Sequence, residues 1–67
     1  MKLQQYLLEN NLSQRQFTKV ILVKSGVLIP QGTLSKYVLG SRIPSFENMK
    51  AIMEVTDGAV EPNDFYL

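Results

Sequence analysis

The chain has 67 residues, a length that allows one small domain near the lower limit for folding without a disulfide or a metal. It contains no cysteine and no histidine, which excludes a disulfide framework, a thiolate metal site and the commonest general base. Apolar residues make up 45% and charged residues 19% of the sequence, and neither a membrane span nor a secretory pattern is present. We therefore expect a single cytoplasmic domain over residues 1–67.

The formal net charge is only +1, but the charges are unevenly distributed along the chain. Residues 1–53 contain all seven basic side chains and two acidic ones, which gives this part a charge of +5. Residues 54–67 contain four acidic side chains and no basic one, which gives −4. Such asymmetry suits a body that faces DNA and an acidic tail directed away from the phosphates, but it also suits an ordinary uneven surface.

The first helix is predicted from Leu3, Tyr6 and Leu7, which stand at i, i+3 and i+4 and form one apolar face. An asparagine pair at residues 10–11 can end this helix, because asparagine tolerates the left-handed conformation of a helix C-terminus.

A capping box predicts the start of the second helix. Ser13 is the cap, and Gln16 stands at the third helical position. Gly26 is expected to break the helix. The buried face is predicted from three apolar residues: Phe17, Val20 and Ile21. The sequence does not predict the conformation of the apolar connector at residues 27–30. Pro30 is suited to begin or cap the next helix.

Residues 31–44 are the most informative segment. They predict a third helix with an inward seam of Leu34 and Val38, ended by Gly40 and followed by Arg42 and Pro44. Polar side chains are concentrated at its N-terminal end, although a helix that served only to pack the core would not require them there. Base edges in the major groove are read by such polar and basic side chains, so this segment is predicted to read DNA.

Two sets of DNA contacts are predicted around this helix. Gln31 is suited to pair with adenine and Lys36 to reach guanine, while a threonine methyl can meet a thymine methyl. The candidate base contacts are Gln31, Thr33, Ser35 and Lys36. The candidate phosphate contacts are Ser13, Gln14, Tyr37, Ser41 and Arg42. The structural alternatives are an ordinary solvated helix face and, for Tyr37, packing at the flank of the helix.

The fourth helix is predicted to begin after a cap at Ser45 and to end at an Asp-Gly pair at residues 57–58. Its buried stripe is predicted from Phe46, Met49, Ile52 and Met53. Residues 53–61 can alternatively form a hairpin around the Asp-Gly turn. The terminal segment is expected to fold its aromatic pair onto the core or to meet a second copy of the chain. The residues expected at such a dimer surface are Val60, Phe65 and Tyr66.

Two helices joined by a turn, with polar residues at the start of the second, are typical of a helix-turn-helix unit. The residues that carry the resemblance form four segments: 13–17, 33–40, 42–48 and 63–66. The segments include a Thr-Leu-Ser-Lys-Tyr sequence, a following glycine and a Pro-Ser-Phe-Glu-Asn helix start. In this order they resemble the Cro/phage-repressor helix-turn-helix family, over about residues 3–56.

The resemblance implies an all-α, lambda-repressor-like domain of four to five helices; the alternative is an α+β Cro-like fold with a C-terminal hairpin. It also implies a phage or prophage repressor in the bacterial cytoplasm, associated with the nucleoid, that occupies a DNA operator as a homodimer and needs no cofactor. The alternative function is a protein-interaction module, such as an antitoxin-like or adaptor protein. No small-molecule substrate is expected, because the sequence has no phosphate-binding glycine loop, metal cluster or nucleophile–base pair.

The sequence departs from the family pattern in one respect. Thr33 follows Ser13 by twenty residues, about six more than is usual in the family. The additional residues, near positions 22–30, are expected either to lengthen the second helix or to enlarge the turn.

Overall fold

The computed structural model describes residues 1–66. Over these residues the chain forms four α-helices and a short C-terminal 3-10 helix: α1 Leu3–Glu9, α2 Gln14–Ser25, α3 Gln31–Leu39, α4 Phe46–Val55 and the 3-10 helix Pro62–Phe65. Residues 1–66 contain no strand, which confirms the all-α prediction. Within the same range, no helix is long and apolar enough to cross a membrane.

The predicted helix boundaries are confirmed by the backbone. The amide of Gln16 donates to Oγ of Ser13 at 3.0 Å, and the amide of Ser13 donates to Oε1 of Gln16 at 2.8 Å, which completes the capping box of α2. Gly26 ends α2 with a φ of 74°, in the left-handed region that a glycine adopts without steric cost. Pro30 caps α3, and Gly40 ends it.

The core lies where α2 meets α3 and α4, with α1 packed against α3. The largest completely buried side chains are Phe17, Ile21, Ile29, Leu34, Ile52 and Val60. Leu3 and Leu7 close the core from α1, and Tyr6 packs a tilted ring against Phe17 with centroids 5.9 Å apart. Ile29 belongs to the connector, so this segment is a structural part of the core rather than a solvent loop.

The predicted buried stripe of α4 is correct at Met49 and Ile52 but wrong at Phe46, which is 82% exposed. The buried face of α4 also includes Ala51. Phe46 precedes Ile52 by six residues, which is about 240° around a helix with 3.6 residues per turn. An angle of about 240° is about 120° in the other direction, so Phe46, the first residue of α4, lies outside the face centred on Ile52. Met53, also predicted to be buried, is only half-buried.

The hairpin alternative for residues 53–61 is wrong, because α4 continues through Val55. The chain then reverses direction in a turn. The amide of Gly58 donates to the carbonyl of Met53 at 2.9 Å, and Gly58 has a φ of 82°. Thr56 is buried beside this turn, and its Oγ1 accepts a hydrogen bond from the amide of Val60 at 3.2 Å. Residues 56–60 are thus a tight turn that directs the chain back to the core.

The acidic C-terminal segment folds back onto the N-terminus. The α-amino group of Met1 donates to a carboxylate oxygen of Asp64 at 3.1 Å and also to the carbonyl of Ala59. Nζ of Lys2 donates to the carbonyl of Asp64 at 2.6 Å. The pKa of the Asp64 carboxyl lies below its ordinary value, first because the backbone amide of Glu61 donates to it and second because of the Met1 amine. Asp64 is therefore a structural contact and not only part of a solvated tail.

Candidate nucleic-acid interface

Helix α3 has a buried side and an exposed polar side. Leu34 is completely buried, and Val38 is half-buried and packs against the core, as the predicted seam requires. Both residues therefore fix the rotation of α3. Among the side chains on the remaining surface, Gln31 and Lys36 are exposed. The exposed side begins at the N-terminal end of the helix, which is the end that reads base edges in helix-turn-helix complexes.

The two shorter candidate side chains lie at the edges of this exposed side. Thr33 and Ser35 are half-buried, one on each side of Leu34 in the sequence. Each keeps part of its surface accessible to solvent. Gly32 lies between Gln31 and Thr33, and a Cβ added at this glycine would meet no atom within 4 Å. The backbone of α3 can therefore approach a flat partner more closely at Gly32 than at its neighbours.

The start of α2 forms the second part of the candidate interface. Ser13 is exposed but uses its hydroxyl oxygen to accept the Gln16 amide. Gln14 is the first residue of the helix and is half-buried. The first turn of a helix presents free amide groups and partial positive charge, which favours a phosphate. The capping box thus defines a helix start that leaves Gln14 beside this positive end.

The segment after α3 provides the remaining candidates. Ser41 is exposed, and both its amide and its hydroxyl donate to the carbonyl of Lys36, at 3.0 Å and 3.3 Å. Arg42 is also exposed. Within residues 1–66, no lysine or arginine side chain forms an ion pair with a carboxylate. The lysine and arginine side chains of this part of the chain are therefore not paired with internal carboxylates.

Tyr37 occupies a different environment from the other candidates, because it is only 6% exposed. Its hydroxyl oxygen accepts a hydrogen bond from Nδ2 of Asn48 at 2.9 Å, which links α3 to α4. Its ring meets the edge of Phe65, with centroids 6.5 Å apart and an interplanar angle of 72°. This arrangement agrees with the alternative, packing at the flank of α3, and the phosphate contact of Tyr37 stays a prediction.

Comparison with known proteins agrees with this geometry. A family model described as helix-turn-helix matches residues 3–61 of the chain. The chain belongs to this family. It is therefore a DNA-binding transcriptional regulator of the XRE type, the class to which Cro and the phage repressors belong. No curated protein and no solved structure gives a match.

The length of α2 accounts for the departure of this helix-turn-helix protein from the usual pattern. The cap residues Ser13 and Gly26 are thirteen positions apart, whereas the family glycine usually follows the capping serine by about nine. The helix is thus extended by about one turn. The connector at residues 26–30 contains the rest of the insertion, with Ile29 buried in the core. Both the twelve-residue helix α2 and the connector thus contribute to the distance in sequence between Ser13 and Thr33.

Sequence reasoning missed one side chain on the exposed side of α3. Leu39, the last residue of the helix, is 77% exposed. Its spacing contained a signal, because Leu39 follows Gly32 by seven residues and Lys36 by three, and residues at these spacings share one helix face. The sequence prediction included the polar residues of this face but not the leucine at its end.

Proposed function

We propose that this helix-turn-helix regulator is a Cro-like repressor of phage or prophage origin that occupies a DNA operator as a homodimer. The observation that carries the proposal is the rotation of α3. Complete burial of Leu34 leaves Gln31 exposed at the N-terminus of the helix and Lys36 exposed on the side away from the core. In the proposed complex α3 lies in the major groove, and an occupied operator excludes RNA polymerase sterically.

In this complex, base recognition belongs to the N-terminal half of α3. Gln31 pairs with adenine through two hydrogen bonds, and Lys36 donates to the acceptors of guanine, each contact contributing about 1–3 kcal/mol of discrimination. The methyl group of Thr33 meets a thymine methyl, and Ser35 donates to or accepts from a neighbouring base edge. The half-buried positions of Thr33 and Ser35 support contacts at the margins of the helix rather than at its centre.

In the proposed complex, phosphate contacts lie on both sides of the base-contacting residues of α3. Gln14 and the first amides of α2 bind one phosphate, with Ser13 holding the helix start in place. Ser41 and Arg42 bind another phosphate beyond the C-terminus of α3. The exposure of Arg42 and the absence of ion pairs to carboxylates for lysine and arginine side chains within residues 1–66 support this assignment.

A homodimer is proposed because one recognition helix covers only a few base pairs, so a specific site requires two. The three residues expected at the dimer surface differ in their exposure. Val60 is only 1% exposed, because it fills the core of its own domain, so its predicted part in a dimer surface is wrong. Phe65 is half-buried against the core, and Tyr66 is exposed. Tyr66 is therefore the residue of this segment best placed to contact a second copy.

The first test is a binding measurement on operator duplexes selected from a random pool. Lys36→Ala and Gln31→Ala are each expected to weaken binding by about fivefold to 150-fold, since each removes roughly 1–3 kcal/mol of base contact. The thermal midpoint of each variant should stay close to that of the wild-type protein, because both side chains are exposed. Fluorescence anisotropy gives the affinities, and circular dichroism gives the midpoints.

The matched control is Lys24→Ala, which also removes one exposed positive charge but lies in the last turn of α2. It should lower affinity only slightly and equally for all sequences. Wild-type affinity in both α3 variants would overturn the assignment of the recognition helix. A salt titration of the wild-type protein separates the alternative function, because DNA affinity should fall steeply as salt rises. If the wild-type protein bound no duplex even at low salt, this result would instead favour the alternative function, a protein-interaction module.

A further inference from the structure

We propose that Leu39 is a specificity-determining residue that contacts the C5 methyl group of a thymine in the operator. The inference rests on the proposed docking of α3 and adds a base preference at the C-terminal end of that helix. Leu39 is 77% exposed, which leaves most of the side chain without a partner within residues 1–66. In the proposed complex, that partner is a base of the DNA.

The position of Leu39 places it in line with the residues of the proposed interface. Gly32, Lys36 and Leu39 are separated by four and three residues, so their positions follow one another along a single face of α3. Gly32 has open space where a side chain would stand. A helix that approaches the DNA closely at Gly32 carries Lys36 and then Leu39 along the same groove.

The chemistry of leucine limits what Leu39 can recognise. Its side chain neither donates nor accepts a hydrogen bond, so the polar atoms of adenine, guanine and cytosine offer it no favourable contact. The thymine methyl group is the apolar feature of the major-groove edges. Burying an exposed leucine against this methyl group removes apolar surface of both partners from water, which is favourable. A thymine is therefore the base that Leu39 selects.

The folded structure itself does not require the Leu39 side chain. The C-terminus of α3 is closed by backbone bonds, because the amide of Gly40 donates to the carbonyl of Tyr37 at 3.2 Å and that of Ser41 donates to the carbonyl of Lys36 at 3.0 Å. These bonds persist when Leu39 is shortened to alanine. The Leu39→Ala variant is thus expected to fold normally, which makes the DNA-binding measurement interpretable.

The test replaces each thymine of the selected operator in turn by deoxyuridine, which removes only the C5 methyl group. Besides the position that meets the Thr33 methyl group, the wild-type protein is expected to lose about fourfold in affinity at one further position of each half-site, the amount that corresponds to one buried methyl group. The Leu39→Ala variant should bind the thymine and deoxyuridine duplexes equally at that position. Leu8→Ala is the matched control, since Leu8 on α1 is 76% exposed, and it should keep the wild-type discrimination.

The possible outcomes separate this inference from the proposed function. If the wild-type protein selects an operator but Leu39→Ala keeps its full discrimination at every thymine, the leucine contact is wrong and the repressor proposal stands. If Leu39→Ala changes the oligomeric state in sedimentation while discrimination is unchanged, the side chain binds a second copy instead, and the inference is again overturned. If no duplex is bound by the wild-type protein, both proposals fail.

Discussion

Leu34 and Leu39 are identical side chains five residues apart on α3, yet one is completely buried and the other is 77% exposed. The difference follows from the rotation of the helix and not from the amino acid. Leu34 contacts the core formed with Phe17, Ile21 and Ile52, whereas Leu39 points to solvent in the free protein. The two leucines therefore allow the buried side of α3 and its proposed DNA-binding side to be tested separately.

Leu34→Ala is expected to lower the free energy of unfolding by about 2–5 kcal/mol, because it removes buried methyl groups and leaves a cavity. Urea unfolding followed by circular dichroism measures the change. The paired variant Leu39→Ala should stay within about 0.5 kcal/mol of wild type, as expected for an exposed position. Equal losses in the two variants would contradict the rotation of α3 on which the interface depends.

Individual side chains could be predicted from the sequence where one face of a helix was clearly apolar, as for Leu34. Phe46 was mispredicted because α4 has apolar residues on two sides, and spacing alone does not show which side meets the core. In the folded structure the buried face includes Ala51 together with Met49 and Ile52. The hydrogen bond between Asn48 and Tyr37 was not predictable either, because it joins residues whose proximity depends on the tertiary fold.

At the scale of helices, α2 shows how a local signal defines the geometry of the interface. Its capping box fixes the residue at which the helix starts, and that start sets the place of Gln14 and the first amide groups. The same helix carries Phe17 and Ile21, both completely buried. The cap therefore links the stability of the core to the position of a proposed phosphate contact.

Ser13→Ala is expected to lower the free energy of unfolding by about 0.5–2 kcal/mol, because the amide of Gln16 loses its acceptor. Thermal or urea unfolding measures this loss. Ser13→Thr serves as the control, since threonine retains the hydroxyl and should restore most of the stability. If alanine at this position proved as stable as serine, the capping box would contribute nothing to the folded state.

Helix boundaries were the part of the fold most fully predicted from the sequence, because caps and breakers are local signals. Ser13, Gly26, Pro30 and Gly40 all stand where the structure begins or ends a helix. The hairpin alternative failed because the turn residues that favour a hairpin also suit a helix C-terminus. Asp57 and Gly58 both have positive φ angles, which end α4 without any strand pairing.

At the scale of the whole molecule, the two ends of the described chain meet. The Met1 amine and Lys2 bind the segment around Asp64, while Phe65 packs its ring against Tyr37 of α3. The C-terminal segment thus supports the helix that carries the proposed base contacts. This long-range contact could not be predicted from local sequence patterns, since its partners are separated by almost the full length of the chain.

The lowered pKa of Asp64 makes this contact sensitive to acid. A carboxyl group whose pKa is lower in the folded state stabilises the fold at pH values above its unfolded pKa, for which the ordinary value is 3.8. This stabilisation is lost as the pH falls from there through the lower folded value. Asp64→Asn is therefore expected to be less stable than wild type at pH 7, and the difference should shrink in strong acid.

Urea unfolding of both proteins at neutral pH and below pH 3.8 measures this dependence. Glu54→Gln is a suitable control, because Glu54 is an exposed carboxylate on α4 that makes no ion pair within residues 1–66. It should not reproduce the acid-dependent difference. A stability gap between wild type and Asp64→Asn that is the same at every pH would show that the carboxylate charge has no part in the contact.

The additional turn of α2 affects whether the DNA preference of this regulator can be transferred to another protein. Four further residues lengthen a helix by about 6 Å, and stacked base pairs are about 3.4 Å apart. Residues 31–39 transplanted into a relative with a shorter α2 would consequently meet different steps of the double helix. Under the proposed docking of α3, the sequence preference is encoded jointly by residues 31–39 and by the length of α2, and exchange of specificity requires both to be moved together.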